Sequence, residues 1–302
     1  MSYSDPIKVS EVQIDKIDLQ FPKEGATKNG NGMFVYPKHN KQKLRIILPT
    51  LTAPYGAGPQ KDSPKKFSMA IAFDGMENGD KNGRSVKEAY DVLTAIDNRM
   101  RELMMEKREL FFKDATKVDG AKKDAKKKGV GLSDELLAIR YKDFIRSRDE
   151  QSDIMYLGLQ TRKASKKDIE DKKFTADEIA QLEREFVSLP GYPLLIDSEG
   201  HPIPVNVDNI KDVIPWNTRI KPVIEFAYLW VTSEKVHPIW TFVHGARKST
   251  GVSKGFNILK DDDDEEEEEN RMDTDKDEEE TESNEMETEA NEEEEEEEEM
   301  AP

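Results

Sequence analysis

The C-terminal 42 residues constrain this chain most, because they carry too much charge of one sign to fold. Residues 261–302 contain 27 acidic residues against two basic ones. Two unbroken acidic runs, Asp261–Glu269 and Glu292–Glu299, lie in this segment. Mutual repulsion and the lack of an apolar face prevent a packed core, so the sequence predicts a disordered acidic tail. Folding is therefore left to residues 1–260, a length that suits one elaborated domain.

The formal charge of −18 hides opposite charges in these two parts. The tail carries −25, so residues 1–260 hold 37 acidic and 44 basic residues and carry +7. A cationic body favours polyanionic partners such as nucleic acid. A tethered tail of opposite sign can compete for the same surface at high effective concentration. The start of the tail is the predicted regulatory segment: Asp261, Asp262, Asp263, Asp264, Glu265 and Glu266.

The residue content disfavours an enzyme. The chain has no cysteine, which excludes disulfides, thiolate catalysis and cysteine-ligated metals. Its four histidines show no zinc-ligand spacing, and no phosphate-loop, dinucleotide-binding or Gly-x-Ser-x-Gly motif occurs. We therefore expect a binding protein with neither cofactor nor metal.

Neither a membrane nor a secretory route is expected for this sequence. The first sixteen residues have no apolar run and no cleavage-site pattern, so they do not resemble a signal peptide. No stretch approaches the roughly 18 apolar residues that a membrane span needs. The prediction is a soluble, intracellular protein without a membrane partner.

Alternating apolar residues predict a strand-rich body. The first strand is expected over 12–21, where a slip in the alternation indicates a β-bulge. The glycine- and proline-rich residues 54–64 predict a loop. Residues 223–231 and 239–243 predict an antiparallel hairpin. The other strands are expected at 33–36, 44–48, 67–73, 154–159 and 194–196.

One long helix is expected in the middle of the body. Ser85 and Glu88 form a capping box, and apolar residues follow at seven-residue spacing as far as Leu110. We expect this seam to pack against a sheet, with a coiled-coil-like dimer contact as the alternative. Further helices are predicted over Asp134–Arg146 and after the capping box of Thr175. The lysine-rich residues 113–133, which follow the long helix, are expected to be a mobile insertion whose lysines contact phosphate, serve as a nuclear signal or are simply solvated.

The order of elements predicts a mainly β fold with α insertions. We expect an OB-type five-stranded barrel with the long helix between its third and fourth strands. Residues 1–260 form the predicted domain, with a helical insertion at about 84–147. Residues 261–302 form the disordered acidic C-terminal tail.

Single-stranded nucleic acid is held by cations along its backbone and by aromatic faces that stack on bases. The body interleaves both residue types. An aromatic strand face such as that of Phe226, Tyr228 and Trp230 also fits a barrel core, so the choice between core and ligand stays open there. The predicted nucleic-acid-binding residues are Tyr36, Lys38, Lys43, Arg45, Tyr55, Lys65, Lys66, Trp216, Arg219, Lys221, Arg247 and Lys248.

The closing stretch of the body resembles a known family. Ile214–Ile220 is a proline-led turn that feeds a strand, 223–225 continue it, and Trp240–Phe242 lie on the strand that follows. With the acidic tail, this resembles the single-stranded-DNA-binding proteins of podovirus-type phages and their relatives in large nucleo-cytoplasmic DNA viruses. The likeness covers the order of elements over most of the body, and sharp motif agreement covers about 30 residues. Phage members tend to end in an aromatic residue, whereas this sequence ends in Pro302.

The resemblance implies a viral protein that coats single-stranded DNA in replication and recombination and anneals strands. It further implies homodimerisation, a tail that contacts polymerase- and helicase-type proteins, and action at the site of viral DNA replication in the host cell. The alternative is an acidic-tailed chaperone of basic, histone-like proteins, in which the tail is the binding site. A factor that binds duplex DNA is a third hypothesis. Competition between single- and double-stranded oligonucleotides distinguishes it from a single-stranded-DNA-binding protein.

Overall fold

The computed structural model describes residues 5–22, 32–111, 139–148, 151–164, 169, 173–232 and 235–248. All of them belong to one unit, residues 1–254. The predicted tail, its regulatory residues 261–266 and the lysine-rich segment 113–133 lie outside the described residues.

The described residues form mainly β-structure with few helices, as the sequence predicts. The strands are β1 (Ile7–Lys8), β2 (Ile17–Gln20), β3 (Gly32–His39), β4 (Gln42–Lys43), β5 (Arg45–Ile47), β6 (Leu51–Ala53), β7 (Ala57–Gln60), β8 (Ser63–Ala72), β9 (Ile145–Arg148), β10 (Gln151–Leu159), β11 (Leu195–Ile196), β12 (Pro202–Ile203), β13 (Thr218–Thr232) and β14 (Val236–Arg247). Helices among the described residues include α1 (Lys81–Glu106), α2 (Arg108–Phe111), α3 (Ala176–Arg184) and α4 (Ile210–Val213). Two 3-10 turns span Val9–Glu11 and Ile14–Lys16.

The predicted antiparallel hairpin is confirmed as β13 and β14, which pair along most of their length. Their inward side chains fill the core, and the rings of Phe226 and Trp240 stack there with centroids 4.4 Å apart. Two register shifts, at Val223/Ile224 and Phe226/Tyr228, bend the hairpin as β-bulges do. The sequence leaves open whether this aromatic face fills the core or meets a ligand. The structure places Phe226 in the core and leaves Tyr228 and Trp230 half-exposed.

Five strands pair in a circuit around this core. β13 pairs with β6, β6 with β8, β8 with β10, β10 with β14, and β14 with β13. The pairing of β10 with β14 is parallel and the others are antiparallel. The joins β6–β8 and β10–β14 each rest on one residue pair, Thr52 with Ala72 and Gly158 with Thr241.

The long helix exists, but its start and its place in the strand order differ from the prediction. Asp80, not Ser85, caps α1, because the Asp80 carboxylate accepts a hydrogen bond from the Gly83 amide at 2.6 Å. The predicted apolar seam is buried from Val86 to Leu103, where α1 packs on β2 and the 3-10 turns. In the circuit of five strands, α1 lies between the second and third strands in chain order, not between the third and fourth.

Three other predictions of local structure were wrong. Val12 and Ile14 lie in or between the 3-10 turns, so the first strand begins only at Ile17. Residues 57–60 are not loop but strand β7, which pairs with β8 because Gly56 at φ +65° allows the tight turn before it. Residues 145–148 are not the end of a helix but strand β9, since pairing with β10 outweighs the helix-forming composition.

Candidate nucleic-acid interface

A groove of about 1000 Å³ lies over the strands β7, β8, β10 and β14. Segments 142–146 and 211–216 form the remaining walls. Segment 142–146 is held beside β14, because the Lys142 amide donates a hydrogen bond to the Val236 carbonyl at 3.0 Å. The groove therefore brings together parts of the chain that are far apart in sequence.

Three exposed aromatic rings line this groove. Trp216 is 72% exposed, Tyr55 57% and Tyr156 43%. Tyr156 points outward because strand alternation buries its neighbours Met155 and Leu157. Large rings at such exposure gain nothing from the core, whereas a flat ligand can stack on them.

The turn that carries Trp216 is fixed against the turn that carries Tyr55. The Ala57 amide donates to the Ile214 carbonyl at 2.9 Å. A Cβ on Gly56 would lie 2.5 Å from that carbonyl oxygen, so only glycine permits the contact. Thr218 closes the other side of the Trp216 turn through a 2.7 Å bond from its hydroxyl to the Pro215 carbonyl. The rings of Trp216 and Tyr55 therefore lie on two turns that are hydrogen-bonded to each other.

Basic side chains accompany the rings. The lining contains four cations, Lys61, Lys142, Arg146 and Lys211, and two carboxylates, Asp62 and Asp143. Asp143 forms an ion pair with Arg101 of α1, which offsets its charge. The groove is therefore net positive.

His237 lines the groove, and its pKa is affected by the positive charges around it. Burial lowers the pKa of its imidazole, and the charges of Lys235, Lys142 and Arg146 lower it further. The part of this lowering that comes from the three cations marks a place where an anion would be stabilised.

Two arginines from β9 hold the tyrosine rings. The Arg146 guanidinium lies 4.8 Å from the centroid of the Tyr156 ring. Arg148 donates from Nη1 to the Tyr55 hydroxyl at 2.6 Å and binds the Ser152 carbonyl through Nε and Nη2. Because these contacts are already made, the rings need little reordering to accept a base.

The structure brings only two of the predicted site residues into this groove, Tyr55 and Trp216. Lys65 and Lys66 are exposed on β8 but outside the lining. Tyr36, Lys38 and Lys43 lie on β3 and β4, a separate surface.

Three further predicted cations, Arg219, Arg247 and Lys248, gather where β13 begins and β14 ends. The Lys248 amide donates to the Arg219 carbonyl at 3.1 Å. Arg247 donates from Nη1 to the Val213 carbonyl at 3.1 Å, next to the segment that leads to Trp216.

Two predicted cations are buried and do not present charge to a ligand. Arg45 is 4% exposed and donates from Nε to Glu225 at 2.8 Å, and Lys221 is also 4% exposed. Lys43 contacts the same Glu225 carboxylate at 2.6 Å from the surface side. A buried carboxylate needs such partners, so Arg45 serves the fold.

Sequence reasoning missed Tyr156, Lys142, Arg146 and Lys211. The outward position of Tyr156 was available from the alternation in β10. Lys142 and Arg146 were hidden because the pattern before them predicted a helix there. No local signal marks Lys211, which reaches the groove from the short helix α4.

One group of possible metal ligands occurs among the described residues, namely Asp197, Glu199 and His201. Its geometry is that of a turn between β11 and β12, because the Asp197 carboxylate accepts hydrogen bonds from the amides of Glu199 and His201, both at 2.8 Å.

Neither a protein-family model nor a curated protein matches this chain. Among the described residues, no helix combines the length and the apolar character required to cross a bilayer.

Proposed function

We propose that this protein binds single-stranded nucleic acid, and single-stranded DNA in particular, in the groove over β8, β10 and β14. The observation that carries the proposal is the joint presence of three exposed rings and four cations on one concave surface. Rings stack on unpaired bases and cations neutralise phosphates, so both parts of a single strand find their partner. A duplex hides its base faces and would leave Tyr55, Tyr156 and Trp216 without a function.

The circuit of five strands supports an OB-type assignment for the fold. OB folds are partly open five-stranded barrels that bind oligonucleotides on the face of strands 2 and 3 and with the loops 1–2 and 4–5. In chain order the second and third strands of the circuit are β8 and β10, which underlie the groove. The connection from β6 to β8 supplies Tyr55, and His237 follows the turn between β13 and β14.

In the proposed role, the protein coats single-stranded DNA during replication and recombination, as the resemblance to viral single-stranded-DNA-binding proteins implies. The body's +7 charge and the tail's −25 charge support a tail that competes with DNA for the groove. Once displaced, the tail is free to recruit basic surfaces of replication proteins. Homodimerisation and action at the site of viral DNA replication belong to the same proposal, and neither an enzymatic step nor a cofactor is part of it.

The direct test is replacement of Trp216 followed by titration with oligo-dT. Trp216→Ala should weaken binding by the worth of one stacked base, about 1–3 kcal/mol or roughly 5- to 150-fold. Trp216→Phe keeps a ring and should retain most of the affinity. Because the side chain is 72% exposed, neither change should alter the unfolding midpoint.

The cations are tested through salt dependence. Lys142→Gln should reduce the slope of log affinity against log salt by about 0.7, the value for one phosphate contact on a single strand. Glu88→Gln, on the exposed side of α1, is the control for a general charge effect. Wild-type protein that ignores single strands at low salt, or prefers duplex of the same length, would refute the proposal.

A further inference from the structure

A second aromatic surface lies outside the groove, on the outward side of β3 and β13. It consists of Phe34, Tyr36, Tyr228 and Trp230, which we call the outer platform. The Phe34 ring lies 4.9 Å from that of Tyr228 and 4.5 Å from that of Trp230, measured between centroids. Tyr36 is 39% exposed and the other three are half-buried.

Strand alternation explains why these rings share one face. On β3, Val35 and Pro37 are buried, so Phe34 and Tyr36 point the other way. On β13, Leu229 is buried between Tyr228 and Trp230. Phe34 and Trp230 are direct cross-strand partners, which places their side chains on the same side of the sheet.

A glycine on β3 lets the tryptophan ring lie close to the strand. A Cβ on Gly32 would come within 2.3 Å of the Trp230 ring, so no other residue fits there without displacing it. The ring therefore lies across the backbone at the end of β3 and contributes to a broad aromatic surface.

The outer platform is joined to the groove through two residue pairs, one of which is Tyr228 with Ile239. On β14 the cross-strand partner of Trp230 is His237, and His237 lines the groove. Cross-strand partners lie on the same face of a sheet, about 5 Å apart. The face that carries the platform therefore continues into the groove without a break.

Cations lie at the far end of the platform as well. Lys38 follows Tyr36 on the same face of β3 and pairs in register with Lys43 of β4. Burial lowers the pKa of Lys38 and the charge of Lys43 lowers it further, while the Glu225 carboxylate that binds Lys43 offsets part of the repulsion between the two ammonium groups. Asp18 lies beside Lys38 in the register, but its carboxylate binds Lys107. A phosphate near Lys38 would relieve the repulsion.

We propose that the same single strand leaves the groove past His237 and continues across the outer platform, with a base stacked on Tyr36 and a phosphate near Lys38. This inference rests on the proposed function of the groove and adds the path and the length of the bound strand. Continuity with the groove and the positive charge at both ends favour this occupant over a second copy of the chain.

The test is a series of oligo-dT lengths from about 4 to about 16 nucleotides, the range of site sizes found for single OB folds. Tyr36→Ala should weaken binding of the longest oligonucleotides by roughly 5- to 150-fold, the effect of one lost stacking partner. It should leave the shortest ones unaffected, because they fill only the groove. Tyr36→Phe keeps the ring and should bind like wild type.

Phe174→Ala is the matched control, because Phe174 is 37% exposed and lines neither surface. A second readout uses Trp216→Phe, which leaves Trp230 at the platform and Trp240 in the core as the fluorescent groups. Because Trp240 lines the groove, short oligonucleotides set a first change in emission, and long ones should add a further change that comes from Trp230.

The outcomes separate this inference from the proposed function. If Trp216→Ala weakens every length while Tyr36→Ala weakens none, the groove binds the strand and the platform does not, which overturns the inference alone. If no length binds, the proposed function fails first. If Tyr36→Ala instead alters the sedimentation coefficient of the free protein, the platform is a contact between copies and the inference is wrong.

Discussion

Asp97 is an ionisable residue that α1 places against the core. It is 8% exposed, and Nη2 of Arg101 lies 3.9 Å from its Oδ2. Burial raises the pKa of this carboxyl to about 6, although the nearby Tyr141 hydroxyl and the charge of Arg101 act in the opposite direction. The helix thus holds an acid whose charged form the fold disfavours.

Replacement of Asp97 by asparagine should change how stability depends on pH. A raised folded-state pKa means that the folded protein binds the proton more tightly, so this group's stabilisation is complete below about pH 4 and is lost as pH rises through about 6. Asp97→Asn removes the loss and should raise the free energy of unfolding at pH 7 by about 2–3 kcal/mol, with little effect at pH 4.

Urea denaturation between pH 4 and 7 measures this effect, with Glu88→Gln, an exposed carboxyl of the same helix, as control. An Asp97→Asn protein that is less stable than wild type at pH 7 would show that the carboxylate stabilises the fold through its partners.

At the scale of elements, the sequence predicted strands where apolar residues alternate and missed those that tertiary pairing creates. β8, β10, β13 and β14 carry their own pattern. β7 contains glycine and proline and exists because β8 offers an edge, on which Pro59 is tolerated. β9 is a strand only through β10. Local pattern therefore predicts the core strands, while the edge elements that carry Arg146 and Arg148 required the structure.

The residues of the candidate site likewise divide into those that the sequence predicts and those that required the structure. Tyr55 and Trp216 could be chosen from sequence because each is an aromatic residue in a turn-rich stretch near cations. Arg45 and Lys221 have the same composition around them, yet they are buried. The difference is set by tertiary cover, because β13 is buried on both faces from Ile220 to Phe226 and Arg45 pairs with Glu225 in this stretch, which no local pattern shows.

The contact between α1 and the groove wall gives a prediction at this scale. Arg101 binds Asp143 and its guanidinium lies 5.0 Å from the centroid of the Tyr141 ring. Arg101→Met should expose the charge of Asp143 to the groove and weaken oligo-dT binding about two- to fivefold, the range of a partly exposed ion pair. Asp143→Asn should strengthen binding by a similar factor.

The double variant separates charge from shape. With both charges removed, affinity should return to near the wild-type value if Arg101 acts by neutralising Asp143. Affinity that stays low in the double variant would show that the ion pair positions the segment of Lys142. Arg84→Met, near the start of the same helix, controls for loss of a cation on α1.

At the scale of the whole molecule, the separation of charge along the chain is the dominant feature. The body carries +7 and the tail −25, and salt screens the interaction between such opposite charges. In the proposed function the body binds the ligand and the tail opposes binding. In the alternative, a chaperone of histone-like proteins, the tail itself binds the partner. The two hypotheses predict opposite effects when the tail is deleted: binding becomes tighter in the first and is lost in the second.

Removal of residues 261–302 should therefore tighten binding to oligo-dT. With an effective tail concentration of about 1 mM and a weak tail–groove dissociation constant of about 0.1 mM, the relief is roughly tenfold at low ionic strength. The gain should shrink below about twofold near 1 M salt, where the Debye length is about 3 Å.

A full-length protein whose tail acids are replaced by glutamine and asparagine is the matched control, because it keeps the length and loses the charge. It should bind like the deletion variant if the tail competes through its charge. It should bind like wild type if the tail acts only through its bulk. Loss of binding to basic proteins on deletion, with no gain for oligo-dT, would instead favour the chaperone, because only there is the tail the binding site.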